Sequence, residues 1–95
     1  MPTWEEAESF RRDFDALTSE QKADFRRAVK KFIEDLRRDG NFRPGLRVKA
    51  VQALPGCYEL TWAGDGRAIW AYGPEVRPGE RHIRWIAVGT HAILP

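Results

Sequence analysis

Residues 57–72 read CYELTWAGDGRAIWAY. Two runs rich in Tyr, Trp, Thr, Leu and Ile flank Ala63-Gly64-Asp65-Gly66, and such a Gly/Asp turn between β-formers signals a hairpin. Strands are expected over 57–62 and 67–72. Successive side chains of a strand point to opposite faces. Tyr58, Leu60 and Trp62 therefore share one side, with Cys57, Glu59 and Thr61 on the other. In the next strand Ala68, Trp70 and Tyr72 fall on one side, and Arg67, Ile69 and Ala71 on the other. If Thr61 pairs with Arg67, Glu59 and Arg67 share the face opposite the apolar one. A slip of one residue would separate them, and the sequence leaves that register open.

Working outward, two more segments with the same character predict strands over 46–52 and 82–88. Pro74 to Gly79 reads as a polar loop. Ahead of Gly40 the pattern changes, for that stretch has no glycine and no proline after Pro2. Thr3 followed by Glu6 resembles a capping box, and Ala7, Phe10, Phe14 and Leu17 recur at helical spacing, which predicts a first helix over 4–16. Thr18 with Gln21 repeats the signal. Phe25, Val29, Phe32, Ile33 and Leu36 then form one apolar stripe, with Arg26, Arg27, Lys30, Lys31, Glu34 and Asp35 off it. The second helix is expected over 19–38, stopped by Gly40 in the left-handed region. The fold class is α+β, with an N-terminal two-helix hairpin packed on an antiparallel sheet of about four strands. One domain spans 1–95, with the helical hairpin in 1–39 and the sheet in 40–95. The sheet face away from the helices stays partly free.

Ninety-five residues suffice for one core, and four Trp, five Phe and two Tyr help to fill it. Cys57 is the only cysteine, which excludes an intramolecular disulfide and a multi-thiolate zinc site. His82 and His91 lack zinc-protease spacing, so a metal enzyme is not expected. No apolar run is long enough for a membrane span or a signal peptide, so a cytoplasmic location is expected. The formal net charge is +2, unevenly spread: residues 1–39 hold nine basic and ten acidic side chains, residues 40–95 seven basic and four acidic. A positive field on the second part suits a polyanionic partner. A solvated basic face is the plainer reading of charge alone.

Three motifs sharpen this. Gly56-Cys57-Tyr58-Glu59-Leu60-Thr61, then Asp65-Gly66-Arg67-Ala68-Ile69-Trp70-Ala71-Tyr72, then Ile86-Ala87-Val88-Gly89-Thr90-His91 together resemble the second half of RelE/ParE-superfamily toxins. The resemblance covers about residues 15–93. It implies the toxin of a type II toxin–antitoxin system, an endoribonuclease that cuts mRNA in the ribosomal decoding site with no metal or cofactor. It further implies a cognate antitoxin that wraps the toxin and covers its basic face, with DNA contacted only through the antitoxin complex. Arg67 takes the place of the strand-opening arginine that contacts the scissile phosphate. His91 falls where RNA-cutting members carry a catalytic Arg or His. Arg47 and Lys49 fall in the strand that grips the RNA backbone. Glu59 and Thr61 stand where RelE has two lysines. RelE also uses a tyrosine beyond the last strand, and no tyrosine follows Tyr72 here.

The chemistry asks for the same residue types. When a 2′-hydroxyl attacks the adjacent phosphate, a base takes its proton, an acid protonates the departing 5′-oxygen, and a cation offsets the phosphorane charge. Glu59 suits the base, His91 the acid and Arg67 the cation, with Arg47, Lys49, Thr61 and Arg84 as RNA-binding side chains. Each has a plainer alternative. Glu59 can pair with Arg67 or Lys49 across strands, Arg67 can flank the turn, and His91 can be a solvated histidine. His82 is assigned to the surface. Trp62 and Trp70 are assigned to the core, and Trp85 is left open between the core and base stacking. Two other functions share the fold: a ParE-like gyrase inhibitor, and a non-catalytic RNA- or protein-binding module.

Overall fold

The computed structural model describes residues 2–95. Five strands and two α-helices follow one another as β1 (Thr3–Glu6), α1 (Glu8–Asp15), α2 (Ser19–Arg38), β2 (Lys49–Ala50), β3 (Cys57–Thr61), β4 (Gly66–Gly73) and β5 (His82–Thr90). Short 3-10 turns at Pro44–Leu46 and His91–Ile93 precede β2 and follow β5. The sheet order is β1-β5-β4-β3-β2, with β1 parallel to β5 and the other pairs antiparallel.

The expected arrangement of leading helices and about four antiparallel strands is thereby corrected. The sheet has five strands and is mixed, and a strand precedes the helices. Thr3 caps no helix. Its amide donates to the Arg81 carbonyl at 2.9 Å, and its hydroxyl lies 2.8 Å from Nδ1 of His82. Thr3 to Glu6 run alongside His82 to Trp85 instead. Pairing with an existing strand edge outweighs the weak helical signal of four residues, and α1 begins only at Glu8. The expected strand over 46–52 shrinks to Lys49–Ala50, because the Pro44–Leu46 turn ends with Arg47 in the left-handed region, φ +46°.

Elsewhere the local signals hold. Thr18 and Gln21 form both halves of the capping box of α2, and Gly40 takes φ +74° just past its end. The apolar stripe of α2 packs on the sheet. Phe32 meets the Trp70 ring edge-on at 4.9 Å between centroids, and Phe25 meets Trp85 at 5.6 Å. Phe10 of α1 closes over both Phe25 and Trp85. Trp62, Trp70 and Trp85 all lie in the core, which resolves Trp85 as a packing residue.

The hairpin turn is held by a ring. The Trp62 indole N–H donates to the Arg67 carbonyl at 2.9 Å, laying the ring across Gly66. A Cβ at Gly66 would sit 2.5 Å from two ring carbons. Gly66→Ala should therefore destabilise the domain by about 1–3 kcal/mol, the usual penalty of overpacking a pinned contact. Urea denaturation reads this out, and an unchanged midpoint would mean that the ring is free to move.

Candidate functional site

The β3–β4 register is Thr61↔Arg67 and Glu59↔Ile69, and β2 adds Lys49↔Glu59. Lys49, Glu59, Thr61 and Arg67 consequently share the sheet face opposite the aromatic core. Glu59 and Arg67 are diagonal neighbours, which in an antiparallel ladder lie ~7–8 Å apart.

An irregularity in β5 brings the end of that strand into the same neighbourhood. Ile69 pairs with Ala87 but Trp70 pairs with Trp85, leaving Ile86 bulged out. The Ser9 hydroxyl of α1 donates to the Ile86 carbonyl at 2.7 Å, so the bulge leaves no orphan there. A bulge shifts the alternation of the strand that carries it. Trp85 and Val88 thus both face the core, while Ala87 and Gly89 turn to the other face. Past Thr90 the chain enters the 3-10 turn His91–Ile93, and Ile93 packs back onto Gly89, where a Cβ would come within 2.9 Å of it. The Val-Gly of the last motif is in this sense a seat for the C-terminal turn.

That turn and the segment after β2 cover part of the second face. Between them lies a cleft of about 450 Å³ lined by Val51, Gln52, Glu59, His91 and Leu94, among others. Glu59 is only 8% exposed, whereas His91 is open to solvent. The Lys49 ammonium lies 3.9 Å from the Glu59 carboxylate, the cross-strand pair expected on the plainer reading. Glu59 and His91 thus line one cavity, with the Lys49 ammonium beside the Glu59 carboxylate.

Arg67 and Thr61 line a different cleft, of about 490 Å³, between α2 and the β3–β4 turn. Arg27, Lys31, Arg43 and Arg47 line it too, with Asp24 the one acid. The Arg67 guanidinium donates to the carbonyls of Gly66 at 3.0 Å and Gly64 at 3.4 Å. Asp24 pairs with Arg27. Arg43 forks onto Asp35, Nε to Oδ2 at 2.9 Å and Nη2 to Oδ1 at 2.8 Å. Asp35 is fully buried at the inner end of this pair. The Arg43 side chain and amide, with Arg38 farther off, hold its carboxyl down to about 2 against the opposing effect of burial.

The expected site residues therefore divide. Glu59 and His91 share one cleft, with Lys49 against Glu59; Arg47, Thr61 and Arg67 line the other; Arg84 lines neither and sits 3.9 Å from Glu5 at the far side of the sheet. His82, assigned to the surface, is buried at 5% exposure. Its Nδ1 meets the Thr3 hydroxyl and its Nε2 meets the Glu5 carboxylate, each at 2.8 Å, because β1 covers it. Arg27, Lys31 and Arg43 were not singled out as site residues. On the helix they fall off the apolar stripe like any solvated side chain, and only the packing of α2 over the hairpin turn gathers them. Among the described residues, no group of three or more His, Cys, Asp or Glu side chains is arranged to hold a metal ion. No helix among them is long and apolar enough to cross a membrane.

No family model and no curated protein matches the sequence. Solved structures do match in fold. A chain of the E. coli DinJ–YafQ toxin–antitoxin complex superposes with a TM-score of 0.67 at 15% identity, over 98% of this chain and 96% of that one. The chain has the RelE/ParE toxin fold. The YoeB/ParE toxin from Agrobacterium tumefaciens matches at a TM-score of 0.67 and 11% identity, over 94% of this chain and 98% of its own. Isolated E. coli RelE matches at 0.60 and 16%, over 95% and 84%. Within this RelE/ParE fold the strand-opening Arg67 and the post-strand His91 stand at opposite ends of the Gly66↔Thr90 pairing, where β4 begins and β5 ends.

Proposed function

We propose that this chain is the toxin of a type II toxin–antitoxin pair and an endoribonuclease that cuts mRNA on the ribosome without a metal. The observation that carries the nuclease reading is the cleft shared by Glu59 and His91, with Arg67 diagonal to Glu59 across the hairpin. Glu59 takes the proton of the 2′-hydroxyl as the O2′–P bond forms. His91 gives a proton to the 5′-oxygen as the P–O5′ bond breaks, leaving a 2′,3′-cyclic phosphate and a 5′-hydroxyl. Arg67 swings a donor from its turn carbonyls to the phosphorane oxygens. Lys49 holds the Glu59 carboxylate in place, and Arg47 and Thr61 bind the strand. Arg84 lies apart from both clefts and has no part in this scheme.

The toxin role is supported by a fold shared along nearly the whole chain with proteins described as toxins, one of them in a toxin–antitoxin complex. The partner is then a cognate antitoxin that covers the basic face, with DNA reached only through that complex, and the site of action is the cytoplasm.

One match is described as a YoeB/ParE toxin, so gyrase inhibition is the competing reading. Induced expression in a bacterial host, paired with a supercoiling assay on the purified chain, separates the two. Growth arrest with gyrase fully active is the expected pattern. Loss of supercoiling with mRNA left intact would replace the nuclease by a gyrase poison.

A further inference from the structure

The cleft that Glu59 and His91 line holds one polar side chain that the cleavage scheme does not use. Gln52 lines it, exposed, and its side-chain amide makes no hydrogen bond among the described residues. Apart from these three, every lining side chain is apolar, Val51, Ala53, Ala92 and Leu94 among them. The segment that carries Gln52 is tied down on both sides. The Val51 amide donates to the Cys57 carbonyl at 2.9 Å, the Leu54 amide to the Val51 carbonyl at 3.0 Å, and the Cys57 amide to the Leu54 carbonyl at 3.0 Å. Val51 is buried, and Gly56 takes φ +84° as the chain returns to β3. The backbone beneath Gln52 is thereby fixed, so binding has only its side chain left to order.

We propose that Gln52 reads the edge of a nucleobase seated beside the cut, and so sets the sequence preference of the chain. The proposal rests on the ribonuclease reading for its ligand and goes beyond it in naming the side chain that selects sequence. Glu59 and His91 act on the sugar–phosphate backbone, which is the same at every nucleotide and selects nothing. A primary amide offers one acceptor and two donors. It pairs with a base edge only where donor meets acceptor, and a seat of this kind rejects the bases that leave its polar group unpaired. No Lys or Arg lines this cleft, so beyond the reacting phosphate its small apolar walls suit the faces of a neutral ring. Gln52 is in this view a specificity residue, with no part in either proton transfer.

The test measures binding of fluorescein-labelled 2′-O-methyl trinucleotides, in which one base is flanked by abasic units and no cut can occur. Fluorescence anisotropy gives the affinity for each of the four bases. The wild-type chain should separate its best and worst base by about tenfold, the discrimination of one good amide–base pair. Gln52→Ala should compress that spread to within about twofold, by weakening the favoured base alone. Gln52→Glu offers acceptors only, so it should re-rank the bases towards guanine, whose N1–H and N2–H donors lie side by side. A misfolded chain would lose affinity without re-ranking, and circular dichroism checks the fold of each variant. Equal binding of all four bases by the wild type, or a full spread retained in Gln52→Ala, would overturn the proposal. The nuclease reading fails separately. New mRNA ends with no base discrimination would keep the nuclease and remove Gln52 as its reader, whereas discrimination that Gln52→Ala abolishes, with no new ends, would keep the reader and remove the nuclease.

Discussion

His91→Ala should lower the rate of RNA cleavage by ~10²–10⁴-fold, the usual contribution of a positioned acid or base, while leaving the domain as stable as before. The two halves of that expectation come from different features. His91 opens a short turn at the surface, exposed, with no side-chain hydrogen bond among the described residues. Exposed positions of this kind change stability by within about 0.5 kcal/mol. His91 nevertheless lines the cleft that Glu59 also lines. Glu59→Gln should give a loss of the same order, since the amide keeps the shape and hydrogen-bonding reach but cannot accept the proton. Single-turnover cleavage with a denaturation curve for each variant measures both. Full activity in His91→Ala would remove His91 from the mechanism, and a collapse in stability would show that it holds the turn instead.

Asp35→Ala should act the other way, lowering stability by about 2–3 kcal/mol, because it strips the buried partner from a charge-assisted fork. Asp35 accepts from the Arg43 side chain twice and from the Arg43 amide at 2.9 Å. Removing it frees the loop that leads into Pro44–Leu46 and Arg47, so the basic cleft should loosen with it. The pH dependence follows from the direction of the shift. Folding lowers the Asp35 carboxyl from 3.8 to about 2, so the folded state holds fewer protons on this group than the unfolded chain between those values. Its contribution is complete above pH 3.8 and is lost as pH falls through about 2. The stability gap between wild type and Asp35→Ala should therefore be constant near neutral pH and close on acidification. A gap that stays constant down to pH 2 would mean that the fork is not what Asp35 contributes.

The hairpin at residues 57–72 could be read from its own residues because period-2 alternation and a Gly/Asp turn are local signals. The register was conditional in the sequence. It is decided by Trp62 folding over Gly66 and by the pairing with β5, both of which need the third dimension. The strand at Thr3–Glu6 was hidden for the opposite reason. Its local signal mimics a helix start, and only the distant edge at His82–Trp85 makes it a strand. His82 was misassigned with it, since nothing near position 82 in the chain reveals that Thr3 and Glu5 will close over it. Glu59, Arg67 and His91 were singled out from motif order. That they line two clefts rather than one goes with Arg67 curling back to its own turn. Arg47 stands out in the sequence by its place in the basic strand motif, whereas Lys31 looks like an ordinary surface cation, and the packing of α2 over the turn is what makes them neighbours.

The most direct measurement is the mapping of mRNA ends after brief induction of the wild-type chain beside His91→Ala in a bacterial host. The expected result is a set of new ends carrying a 5′-hydroxyl, with 2′,3′-cyclic phosphate on the upstream fragments, present with wild type and absent with His91→Ala. Growth arrest without new ends, or new ends bearing 5′-phosphate, would contradict metal-free cleavage by Glu59, His91 and Arg67.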